Sequence, residues 1–124
     1  MLISLIEEHE YRKVRIEDID SRIAGRMKHM KLPIRDVDIP DSAWEVLWRE
    51  KGPIVREALR NGDRICVHCM GGLGRTGLFA ARLLVEFGMS PEDAIRTVRQ
   101  ARPGTIETRA QENYVRSCVA GGSL

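Results

Sequence analysis

The sequence predicts an α/β fold with a mainly parallel central sheet flanked by helices, and three observations lead there. Short apolar, β-branched runs alternate with longer stretches of helical spacing, and a glycine-rich turn joins one such run to one such stretch. At 124 residues and 43% hydrophobic, the chain suits one domain spanning 1–124 with a core of its own. The elements follow in order. Ile3 to Ile6 reads as a strand, and Ile16, Ile19 and Ile23 space a helix that Gly25 ends. Met27 to Ile34 returns as a strand closed by Pro33 and Pro40. Asp41 or Ser42 caps a helix carrying Trp44, Leu47 and Trp48, which Gly52-Pro53 punctuates before Ile54, Val55, Ala58 and Leu59 resume. Asn61-Gly62-Asp63 turns the chain into a strand from Arg64 to His68, and Leu78 to Val85 is helical until Gly88. Ser90-Pro91-Glu92-Asp93 spells a cap, a first-position proline and a capping box for a helix with Ala94, Ile95 and Val98 inward. A last helix runs from Thr108 toward Val119.

Composition excludes several classes. Twenty basic and eighteen acidic residues are interspersed and the net charge is +2, so no nucleic-acid footprint is expected, while an anionic substrate is not repelled. Met1 to Ile6 is too short to span a membrane and lacks the basic lead and cleavage site of a secretory signal. Three cysteines, an odd number, argue against a disulfide framework. The expectation is a cytoplasmic protein without a membrane partner.

The chemistry concentrates in His68-Cys69-Met70-Gly71-Gly72-Leu73-Gly74-Arg75-Thr76-Gly77, which sets one cysteine six positions before one arginine. A turn leading into a helix N-terminus presents backbone N–H groups and the positive end of the helix dipole to an anion, and glycines relax the backbone angles of such a nest. Met70, Gly71, Gly72, Leu73, Gly74 and Arg75 are therefore candidate phosphate-binding residues. The same surroundings favour a thiolate over a thiol, the form in which a cysteine attacks. Arg75 offers a planar fork for two phosphoryl oxygens, Thr76 a hydroxyl for the departing sulfur, and His68 a ring that can brace the turn. Gly72 to Gly77 also spells the G-x-G-x-x-G of dinucleotide-binding folds. However, no second strand ends in an acid at the right distance, since Glu92 and Asp93 open a helix, and Gly-Lys-(Ser/Thr) is missing.

These residues resemble the signature of cysteine-dependent tyrosine and dual-specificity phosphatases, His-Cys-x-x-Gly-x-Gly-Arg-(Ser/Thr), at every fixed position. Leu32-Pro33-Ile34-Arg35-Asp36, followed by Pro40-Asp41, resembles the acid loop of the kinase-associated (cyclin-dependent kinase inhibitor 3-like) branch, which implies Asp36 as general acid, with Asp38 the competing carboxylate and Asp41 a helix cap. The likeness continues through Leu5 to Ile19, Ser90 to Ile95, and Gly104 to Tyr114. It implies a compact phosphatase-like fold, N-terminally short, and two supporting residues with open alternatives. Glu10 either braces Arg75 or is a helix-start charge, and Gln111 either orients the hydrolytic water or is the capping-box partner of Thr108. Two departures stand out. Family members carry tens of residues before the first strand seen here, so either a sheet edge is open, to be covered by a second copy in a homodimer, or the start is truncated. Glu8 and His9 also stand where the family turn has arginine and glycine.

The implied activity is phosphomonoester hydrolysis through a phosphocysteine, needing no cofactor or metal. The implied substrates are phosphotyrosine, with phosphoserine and phosphothreonine, in proteins. No lysine occupies the variable positions of the loop, as lysines do in phosphoinositide-directed relatives. The alternatives are RNA 5′-phosphates, nucleotides or inositol phosphates as substrates, a module that binds phosphate without turnover, and, more remotely, a sulfurtransferase. Cys66 reads as a small core residue, with a redox partner role as the lesser alternative, and Cys66, His68 and Cys69 make no metal site because strand alternation scatters them and no fourth ligand is evident. Cys118, the methionines and both tryptophans read as packing, His9 and His29 carry no functional signal, and Arg96, Arg99, Arg102 and Arg109 read as a solvated helix face, the alternative being that they flank the pocket and select an acidic phosphosubstrate.

Overall fold

The structure, a computed structural model, describes residues 1–71 and 73–120. Its described residues form three strands and six helices in two units, Met1–Arg35 with Pro40–Met70, and Asp36–Ile39 with Gly71–Leu124.

The first unit holds the sheet. Strand β1 (Leu2–Ser4) lies between β2 (His29–Lys31) and β3 (Cys66–His68), parallel to both. Ile3 pairs with Met30 on one side and Val67 on the other. The strands are short, yet the chain stays tied beyond them, since Leu32 N donates to Ser4 O, Ile34 N to Leu5 O, and Leu5 N to His68 O. Ile3, Leu5 and Leu32 are fully buried, as the apolar run predicts. Two short helices, α1 (Glu8–Lys13) and α2 (Ile19–Ile23), stand where one helix over Ile16 to Ile23 is expected. Glu10 at N3 of α1 accepts from Glu7 N, which nucleates the earlier helix. Gly25 then takes a left-handed φ of 77° just beyond α2.

Helix α3 (Ser42–Arg60) is capped by Asp41, whose Oδ1 accepts from Trp44 N at 2.8 Å. It runs straight through Gly52-Pro53 where the sequence predicts an interruption. Trp44, Trp48, Gly52 and Val55 form an unbroken buried stripe, with the two indoles stacked 5.5 Å apart and Trp44 Nε1 donating to Leu32 O. Burying two tryptophans outweighs the hydrogen bond that Pro53 removes. A second correction concerns Cys66. It is exposed at the start of β3 and is no core residue. An extended chain also puts the Cα atoms of positions 66 and 69 about 10 Å apart, too far for a disulfide.

The second unit packs α4 (Gly74–Glu86), α5 (Pro91–Ala101) and α6 (Arg109–Ser117) on one another. Ser90 and Thr108 cap α5 and α6 as their sequences predict, with Pro91 opening α5. Leu78, Phe79, Ala81, Val85, Ala94 and Val115 are buried, and so is an ion pair: Arg82 Nε meets Glu86 Oε2 at 2.7 Å while Arg82 Nη1 donates to the Tyr114 hydroxyl. Glu86→Ala strands the buried guanidinium and is expected to cost about 3–5 kcal/mol of stability, read as a fall in the urea midpoint. The double change Arg82→Met with Glu86→Leu is expected to cost much less.

Candidate active site

In the first unit, β3 delivers the signature cysteine. His68 ends the strand and Cys69 follows it, half-buried, with Sγ 3.7 Å from Met70 O. His68 is held from two sides: its carbonyl accepts from Leu5 N at 3.0 Å, and its Nε2 lies 2.5 Å from Ser4 Oγ. His29, which carries no signal in the sequence, reaches the same hydroxyl at 2.7 Å through Nε2 and meets the Asp20 carboxylate through Nδ1. The His29 hydrogen bond and Lys31 hold Asp20 below the usual carboxylate range. Burial works against the Lys31 charge, but Asp20 and Glu8 outweigh it and hold Lys31 above its ordinary value. Burial pushes the Tyr11 hydroxyl up.

Glu10 is buried and spends Oε1 on the first turn of α1, so of its two readings the helix-start charge is the one this bond displays. Glu7, His9 and Glu10 bring ligand atoms within 4.8 Å of one another. Glu10 already spends Oε1 on the helix start, and nothing further among the described residues marks the group as a metal site.

In the second unit, the loop enters α4. Gly71 takes φ 81°, a left-handed angle that suits glycine alone, and its carbonyl accepts from Arg102 Nη2 at 3.4 Å. Gly72 lies outside the described residues. Leu73 is the N-cap of α4 and supplies no side-chain acceptor, and the first turn, Gly74, Arg75 and Thr76, carries no acid. A Cβ on Gly74 would stand 2.6 Å from Glu107 Oε1 and 3.1 Å from Gln111 Nε2, so a larger residue there requires those two side chains to shift. Arg75 is 1% exposed, and its Nη2 lies 3.4 Å from Oδ1 of Asp36, which is 64% exposed. A buried fork thus faces a solvent-reached carboxylate.

The Asp36–Ile39 segment is tightly bent. Val37 holds φ 54°, unusual for a β-branched residue, while Asp36 Oδ1 accepts from Val37 N and Asp38 Oδ1 from Ile39 N. Asp38 gives its carbonyl to Gln111 Nε2 at 3.1 Å. Gln111 is fully buried, and its Oε1 accepts from Glu107 N and Thr108 N, which makes it the capping-box partner of Thr108. Sequence reading allowed Arg102 to flank the pocket but favoured a solvated helix face, and it missed Ser4 and His29. Arg102 looks like any other arginine of a polar helix face, and no spacing distinguishes it.

The signature cysteine thus follows a strand, and in the second unit the signature arginine opens a helix with a carboxylate facing it. The family model for the Swiss Army Knife DSP-PTPase phosphatase domain (PTP-SAK) matches residues 1–115, and the chain belongs to that family. Cyclin-dependent kinase inhibitor 3 of Rattus norvegicus is 39% identical over 88 residues, 67% of this chain and 39% of that protein. Tyrosine-protein phosphatase CDC14 of Saccharomyces cerevisiae is 30% identical over 106 residues, 85% of this chain and 18% of that protein. Among solved structures, kinase associated phosphatase with its catalytic-site cysteine changed to serine superposes with a TM-score of 0.77 at 31% identity, covering 92% of this chain and 65% of that one. The chain therefore spans about two fifths of the length of the kinase-inhibitor relative and less of the other. No helix among the described residues is long and apolar enough to cross a membrane.

Proposed function

We propose that this chain is one phosphatase domain, over 1–124, that hydrolyses phosphomonoesters through a phosphocysteine on Cys69. The buried Arg75 fork facing Asp36 is the observation that carries the proposal, because it pairs a dianion-binding group with a proton-carrying one. Arg75 and the backbone N–H groups of Met70 to Gly74 hold the phosphoryl oxygens while the Cys69 thiolate attacks phosphorus. As the P–O bond breaks, Asp36 gives its proton to the leaving oxygen. Water then attacks phosphorus, Asp36 takes a proton from it, and sulfur departs as a thiolate that the Thr76 hydroxyl stabilises. Gln111 contributes by holding the carbonyl of Asp38, and so the loop that carries Asp36.

Phosphorylated proteins are the proposed substrates, with phosphotyrosine favoured over phosphoserine and phosphothreonine. Relatives named as tyrosine phosphatases and the lysine-free loop support this choice. A thiolate enzyme also suits a reducing compartment such as the cytoplasm. With chelator in excess, kcat/KM for a phosphotyrosine peptide is expected to exceed that for an RNA 5′-phosphate or an inositol phosphate by at least about tenfold, or 1.4 kcal/mol. A preference for either of the latter would overturn the substrate assignment.

A further inference from the structure

Ser4 sits in an otherwise apolar strand and is fully buried. Strand alternation puts it on one face of the sheet with His68 directly opposite on β3 and Lys31 opposite on β2, and His29, two residues before Lys31, shares that face. Its hydroxyl touches two imidazoles, at 2.5 Å and 2.7 Å. A hydroxyl has one hydrogen and two lone pairs, so it donates to at most one of the two rings. The carboxylate of Asp20 only accepts, so His29 Nδ1 carries a hydrogen. When His29 is neutral, its Nε2 accepts from Ser4, and Ser4 in turn accepts from a hydrogen on His68 Nε2. When His29 is an imidazolium, its Nε2–H donates to Ser4 and frees the Ser4 hydrogen to turn to His68 Nε2, an arrangement in which a neutral His68 carries its proton on Nδ1. The state of His29 is thus coupled through Ser4 to the tautomer of the ring next to Cys69.

We propose that Ser4, His29 and Asp20 are positioning residues for the nucleophile, their hydrogen-bond chain setting the proton and orientation of His68 and so steadying the turn that begins at Cys69. The proposal rests on the assignment of Cys69 as nucleophile. The titratable and charged groups around His29 are Glu8 and Tyr11 from α1, Asp20 from α2, Lys31 from β2 and, through Ser4, His68 from β3. Tyr11 meets the His29 ring edge-on at 6.5 Å, and Lys31 pairs with both Asp20 and Glu8.

The test measures two things across the acidic to neutral range: steady-state hydrolysis of p-nitrophenyl phosphate, and the rate at which iodoacetamide alkylates Cys69, read by peptide mass. Ser4→Ala is expected to lower kcat about two- to tenfold with KM unchanged. It should also move the pH at which Cys69 becomes reactive upward, because a loosened turn favours the thiolate less. Ser4→Thr keeps the hydroxyl and should restore both. Asp20→Asn, at the exposed end of this hydrogen-bond chain, should shift the alkylation profile while the protein stays folded, and Glu92→Gln should do nothing. Wild-type kcat and alkylation profiles in folded Ser4→Ala and Asp20→Asn would overturn the proposal, with Asp20→Asn deciding alone where Ser4→Ala does not fold. Failure of the nucleophile assignment looks different: turnover would survive Cys69→Ser and wild-type Cys69 would react no faster than Cys66, and that result overturns both.

Discussion

Cys69→Ser is expected to cut turnover of any phosphomonoester by more than about 10⁴-fold, the scale on which nucleophile removal registers in enzymes that form covalent intermediates. A serine hydroxyl is far less acidic than a thiol, and surroundings that favour a thiolate fall far short of making an alkoxide. Binding should survive, because Arg75 and the loop N–H groups are untouched. Inorganic phosphate titrated by calorimetry is expected to bind the variant within a few-fold of wild type, and urea unfolding should give an unchanged midpoint. Loss of phosphate binding alongside turnover would mean that the sulfur is a structural part of the loop.

Asp36→Asn is expected to lower hydrolysis of a phosphoserine peptide by about 10²–10⁴-fold, the range for removing a general acid. Hydrolysis of p-nitrophenyl phosphate should fall far less, since nitrophenolate leaves without a proton. The asparagine Oδ1 still accepts from Val37 N, so the bend of the loop is kept and the missing proton is isolated. Asp38→Asn is the matched control. The Asp38 side chain serves Ile39 N and its carbonyl serves Gln111, and both bonds survive the substitution. Steady-state kinetics on the two substrates decide the matter. Equal losses on both would remove Asp36 from the proton transfer, and a larger leaving-group effect in Asp38→Asn would transfer the role to Asp38.

The proposed catalytic loop stands out in the chain because the chemistry proposed for it needs particular residue types at fixed spacing, from His68 to Thr76. The caps at Asp41, Ser90 and Thr108 are legible for the same reason, each satisfying N–H groups that any helix start leaves open. Helix α1 is less so, since between Glu8 and Lys13 only Tyr11 is apolar and one such residue sets no period. The continuity of α3 through Pro53 depends on the burial of Trp44 and Trp48, a tertiary gain that overrides local propensity. Cys66 shows the converse. An apolar neighbourhood suggests burial, yet the strand is three residues long and its first position is exposed. Ser4 is the clearest omission, because a serine inside an apolar strand reads as neutral until the register sets it between two histidines. The left-handed Val37 has no sequence signal at all.

The most direct measurement is rapid acid quench of the protein during p-nitrophenyl phosphate turnover, followed by peptide mass analysis of the segment from Arg64 to Arg75. A phosphoryl group on Cys69, formed in a burst with one equivalent of nitrophenolate and absent in Cys69→Ser, is the predicted result. Burst-free turnover with no adduct on that peptide, or an adduct on another residue, would contradict covalent catalysis by Cys69.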